Sequence, residues 1–185
     1  MTRNLLFISL LFFAASALAD ANDVEYLGFK LGDRYSAPPG AVARSHITGA
    51  LVYVVDAHKR HQHIGSLSIY VSPKSSIIGS VFGEWYFTNE RSAQDFMDRY
   101  MDNLENKYSH WKHERSRWHR QRAPLTNGDY QLWTDLEKKP PIVDHWPSSK
   151  KFRVSVALVF APESAERSEW MATIKNELND LQARR

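Results

Sequence analysis

Between Thr88 and Trp111 the apolar residues Ala93, Phe96, Tyr100, Leu104, Tyr108 and Trp111 recur three or four apart. That spacing gathers them on one side of an α-helix, while Asp95, Asp98, Arg99, Asp102, Glu105 and Lys107 fill most of the other side. The pattern predicts a surface helix lying on a core. Ser92 followed by Asp95 has the form of a capping box, with Thr88 and Asn89 as alternative caps.

On either side of this helix the period drops to two. Residues 47–55 (ITGALVYVV) are rich in β-branched and aromatic side chains and read as a strand; residues 56–63 form a polar turn. In residues 64–72, Leu67, Ile69 and Val71 alternate with Ser66, Ser68 and Tyr70, which makes the second arm of an antiparallel hairpin. Residues 77–87 give a third strand, with Val81, Trp85 and Phe87 on one side and Phe82 and Tyr86 on the other. Gly79 and Gly83 weaken that strand and allow a bulge or a close backbone approach. Residues 130–136 form a fourth strand. The clearest is 152–160, where Phe152, Val154, Val156, Leu158 and Phe160 alternate without a break. Pro162 suits the first turn of a second helix, whose stripe is Trp170, Ile174, Leu178 and Leu181.

The order is β-β-β-α-β-β-α, with one further short strand within residues 24–31. Short links favour an α+β fold: an antiparallel sheet of about five strands with both helices on one face. The expected core is Leu67, Ile69, Phe96, Tyr100, Leu104, Val154, Val156, Leu158, Trp170 and Ile174. On the other face fall Tyr70, Phe82, Tyr86, Trp133 and Val159, where a half-exposed sheet normally carries polar residues. The segment 20–45, which carries Pro38 and Pro39, and the loop 137–151, which carries Pro140, Pro141 and Pro147, are expected to cover them. An uncovered aromatic patch there would mark a partner site.

The opening MTRNLLFISLLFFAASALA changes the picture of where the chain works. Arg3, an apolar stretch and Ala17-Leu18-Ala19 have the layout of a signal peptide, shorter than the ~20 residues of a comfortable membrane span. Residues 1–19 are expected to be removed, giving a periplasmic or secreted chain that starts at Asp20. Residues 20–45 then form an irregular lead-in and 46–185 a single α+β domain. There is no cysteine, which excludes disulfides, thiolate metal sites, cysteine nucleophiles and a lipid anchor through cysteine. Of 24 Lys+Arg, removal of Arg3 leaves 23 against 21 Asp+Glu, a net charge of +2. So small a charge gives no general drive toward nucleic acid or a membrane surface. No second apolar run reaches spanning length.

Two clusters remain as candidate chemistry. Asp56 with His58, His61 and His63 offers carboxylate and imidazole ligands, but Lys59 and Arg60 put cations among them, and the reading is a solvated turn with no cofactor. Residues 110–122 (HWKHERSRWHRQR) hold Arg115, Arg117, Trp118, His119 and Arg120, where arginine beside tryptophan suits an anionic partner. His110 and His113 would share a helical face if the first helix ran on, but HWKHE is not a HExxH motif. Nucleophile-elbow spacing and a phosphate-cradling glycine loop are both missing, and Glu84 and Asp135 read as outward-facing acids on strands. The chain is therefore expected to be a non-catalytic envelope protein that binds a protein partner, of inhibitor, immunity or accessory-subunit type. The alternative is a binder of a small ligand, a metal or an anionic envelope polymer through the histidine turn or the Arg/Trp cluster.

Overall fold

A computed structural model describes residues 24–55, 64–113, 124–139, 147 and 149–184. It is an α+β fold with two helices and a large antiparallel sheet. The signal segment, the histidine turn with His58, His61 and His63, the cluster Arg115, Arg117, Trp118, His119 and Arg120, and residues 140–146 of the proline loop expected to cover the aromatic face lie outside the described residues.

The five long strands fall where the period-two pattern put them: β4 (Leu51–Val55), β5 (Ser66–Val71), β6 (Ile78–Phe87), β9 (Tyr130–Lys138) and β10 (Phe152–Phe160). The sheet is wider than the expected five strands. It has eight, in the order β3 (Ala43–Ser45), β4, β5, β6, β10, β9, β8 (Leu125–Thr126) and β7 (Lys112–His113), and a separate hairpin pairs β1 (Glu25–Tyr26) with β2 (Phe29–Lys30). The additions β3, β7 and β8 are two or three residues long, too short to show any alternation. Nor is the sheet one continuous meander. Strands β3 to β6 form one and β7 to β10 another, and they join where β10 pairs antiparallel with β6.

Helix α1 (Glu90–Lys107) starts at Asn89, whose side chain accepts the Ser92 N–H at 2.8 Å, so Asn89 and not Ser92 is the cap. Its buried residues are Ala93, Met97, Met101 and Leu104. Phe96 and Tyr100 flank that line half-buried, each packing against Trp85 of β6. The helix ends at Lys107, so His110 and His113 do not share a helical face; His113 belongs to β7, with Nε2 3.6 Å from Glu105 Oε1.

Beneath α1 lie Leu67, Ile69, Val81, Leu132, Val154, Val156 and Leu158, all fully buried. The segment before β3 seals this same side. Val24, Tyr26 and Leu31 enter the core, the Tyr108 hydroxyl donates to the Glu25 carbonyl at 2.8 Å, and Tyr35 packs on Tyr53. Residues 24–35 thus form a hairpin held on the α1 side, where an irregular cover over the opposite face was expected.

Helix α2 (Ala165–Ala183) does not lie beside α1. Ser164 caps it by accepting the Arg167 N–H, and it crosses one end of the sheet. Trp170 donates Nε1–H to the Ile77 carbonyl at 3.1 Å, and a methyl group built on Gly79 would land within its indole ring. Gly79 is thus the close-approach glycine foreseen in this strand. Two turns further, Glu177 accepts the N–H groups of Lys74 at 2.6 Å and Ser75 at 3.1 Å, tying α2 to the β5–β6 turn. Ile174 is buried, Trp170 half-buried and Leu181 exposed. The expectation of two helices on one face therefore fails: a single proline-led turn after β10 leaves α2 at the sheet's end. No helix among the described residues is long and apolar enough to cross a membrane.

Candidate functional site

Pairing register sorts the face away from α1 into rows. One row runs Ser68, Phe82, Ala157, Trp133; the next, toward α2, runs Tyr70, Ser80, Val159, Gln131. In the opposite direction come Ser66, Glu84, Ser155 and Asp135, then Tyr86, Arg153 and Glu137. Tyr70, Phe82, Tyr86, Trp133 and Val159 stand on this face, as alternation required, and all five are half-buried. The middle of the face is apolar and its far end charged.

The aromatic side chains form a continuous chain of contacts. The His46 ring meets Tyr70 edge-on at 5.2 Å, Tyr70 lies 4.9 Å from Phe82, and Phe82 lies 5.5 Å from Trp133. Offset and edge-on pairs at such distances are favourable for rings carrying a quadrupole. His46 is fixed from its own turn. Its Nδ1 lies 2.9 Å from Thr48 Oγ1 and accepts the Thr48 N–H at 3.3 Å. An Nδ1 that accepts has no hydrogen, so in the neutral ring Nε2 carries it.

At the α2 end these rings floor a pocket of about 500 Å³. Arg167, Trp170 and Met171 of α2 wall one side and His46 and Thr48 another, with Ser80 and Gln131 as polar groups on the strands. The volume and the mix of apolar lining with few polar groups are those of small-ligand sites. Arg167 is exposed, and no acid lines the pocket among the described residues.

The charged end is paired within itself but stays net negative, with one guanidinium, Arg153, against Glu84, Asp135 and Glu137. Arg153 donates Nη1–H to Glu84 at 2.8 Å and pairs through Nη2 with Glu137, and the Tyr86 hydroxyl donates to Glu84 at 2.8 Å. Burial, and then the Glu84 charge, push the Tyr86 hydroxyl up to about 12. Tyr70 is raised by burial and by the same carboxylate. A carboxylate held by a guanidinium and a phenol is committed to those partners and is poorly placed as a general acid. Glu84 therefore belongs to the scaffold of the face.

Alternation along the strands places the floor of this site but not its walls. His46, Arg167 and Met171 come from segments 120 residues apart, and only the placement of α2 brings them together. Among the described residues no group of three or more His, Asp or Glu side chains is placed to hold a metal ion. The chain matches no protein-family model, no curated protein and no solved structure.

Proposed function

We propose that this is an exported, non-catalytic binding protein that engages a protein partner through the sheet face opposite α1. The observation that carries the reading is the half-exposed chain of ring contacts Tyr70, Phe82 and Trp133 on that face. Aromatic side chains concentrate in interface centres because they bury much area with little rotamer freedom to lose. The charged row beyond supplies a polar margin, with Glu84, Asp135 and Glu137 around Arg153. Export rests on residues 1–19, and the lack of catalysis on the absent motifs and the internal pairing of Glu84. An inhibitor, immunity protein or accessory subunit would use such a face.

The pocket against α2 favours a second reading, a small-ligand binder. Metal binding at His58, His61 and His63, or polymer binding at Arg115, Arg117, Trp118, His119 and Arg120, rests on sequence alone.

A photo-crosslinking residue at Phe82 tests the first reading, with the same residue at Asp95 on the exposed side of α1 as control. One stoichiometric adduct from Phe82 and none from Asp95 is expected in the native envelope. Equal labelling from both positions, or none from Phe82, would overturn it.

A further inference from the structure

The pocket between the aromatic rows and α2 has a chemical polarity that narrows its ligand. We propose that it binds a small organic acid, with an aromatic or branched apolar body lying over Phe82 and Trp133 and a carboxylate turned toward Arg167. This rests on the small-ligand reading of the face and supplies the ligand class.

Three features carry it. The floor is apolar: Tyr70, Phe82 and Trp133 are in ring contact, and Trp170 stands at the side. At this wall the formal charge is positive, from Arg167, which makes no ion pair among the described residues. Two further donors accompany it: the Ser80 hydroxyl and the His46 ring, whose Nε2 carries a hydrogen when Nδ1 accepts from Thr48. Arg167 also lies in the first turn of a 19-residue helix, whose positive dipole end is shared with the Glu166 carboxylate, a side chain that does not line the pocket.

The third feature sets the direction. Glu84 and Asp135 follow Phe82 and Trp133 by two residues on the same face, about 6–7 Å along the strand. With Glu137 they outnumber the single Arg153 guanidinium and disfavour an anion at that end of the rows, whereas the α2 end holds Arg167 and no acid among the described lining residues. A ligand with one negative end and one apolar end therefore has one low-energy orientation. A neutral ligand would leave Arg167 unused, and a cation would meet it as a like charge.

The test compares two probes of one shape on the intact protein, 3-phenylpropanoate and 3-phenylpropanamide, by calorimetry at low salt. The acid should bind about two- to fivefold more tightly, the scale expected of a solvent-accessible charged contact. Arg167→Gln should reduce the acid to the level of the amide and leave the amide unchanged. Arg167 is exposed and its backbone N–H to Ser164 is kept, so the fold should hold, which an unchanged melting temperature would show. Phe82→Ala should weaken both probes alike. Equal binding of acid and amide, or no binding of either to the folded protein, overturns the proposal. A peptide ending in phenylalanine is tested with a free and an amidated C-terminus. A preference for the free acid seen only with the peptide would assign the pocket to a partner's chain end and sink the small-acid proposal. None of these results touches crosslinking from Phe82, so the ligand class can fail while the binding face stands.

Discussion

Phe82 and Trp133 stand on strands that do not pair, yet their rings meet 5.5 Å apart over Ala157. Strands β6 and β9 are separated by β10, a gap of about 9–10 Å. Two rings can close it only if the residue between them is small, and Ala157 is fully buried beneath them. Ala157→Leu should part the rings and overpack the site, at a cost of about 1–3 kcal/mol. Urea unfolding measures the cost, and loss of crosslinking from Phe82 would show that the row acts as one surface.

Gly79 and Trp170 are matched in a comparable way. Gly79→Ala should displace the indole, break its bond to the Ile77 carbonyl and destabilise the fold by about 1–3 kcal/mol. In a Trp170→Ala background the same change should cost little. A double-mutant cycle tests the match, and additive effects would mean that the two residues are independent.

Glu177 is nine per cent exposed and accepts from two backbone N–H groups of the β5–β6 turn. Glu177→Ala leaves those donors without their partner, which should cost about 1–3 kcal/mol. Because the contact anchors α2, limited proteolysis should cleave within 165–184 sooner in the variant than in the parent.

Alkaline pH should weaken the fold through its tyrosines. Tyr86, pushed up to about 12 in the folded chain, keeps its proton above the ordinary tyrosine value of 10.0. Below pH 10 both states are protonated and nothing is lost. Between 10 and 12 the unfolded chain ionises first, so stability falls as pH rises through that window. Burial raises Tyr26, Tyr70, Tyr100 and Tyr130 as well, so they act in the same direction. Tyr86→Phe should lose less stability between pH 8 and 11 than the parent. An unchanged alkaline slope would count against the Glu84 contact.

Met101 is fully buried and Asp95 exposed on the same helix. Met101→Ala should cost about 2–5 kcal/mol and Asp95→Ala less than about 0.5. Similar midpoints for the two variants in a denaturant titration would mean that α1 is rotated on the sheet.

Strand β10 was legible to the residue, because nine positions alternate without interruption. The two-residue strands β7 and β8 were not, since a period needs more positions than they have. For α1 the apolar line was read through Phe96 and Tyr100, although Met97 and Met101 lie deepest. A large aromatic ring reaches the core from the side of a helix, so chemical size alone misplaces the centre of the stripe. Glu177 gave no signal of burial, because its partners are backbone N–H groups one hundred residues earlier. The floor of the candidate site followed from alternation. Its walls depended on where α2 comes to rest, which no local pattern encodes.

The seam between β6 and β10 has a consequence for the order of events in folding. β6 is complete by residue 87, yet its partner spans Phe152–Phe160, so the centre of the sheet closes only when nearly the whole chain is present. Until then each meander offers an unpaired apolar strand to any neighbour. Contacts so distant in sequence close slowly, and the half-built protein is most prone to aggregation during that wait. A chain cut short before Phe152 would never leave this state, whatever the quality of its other contacts.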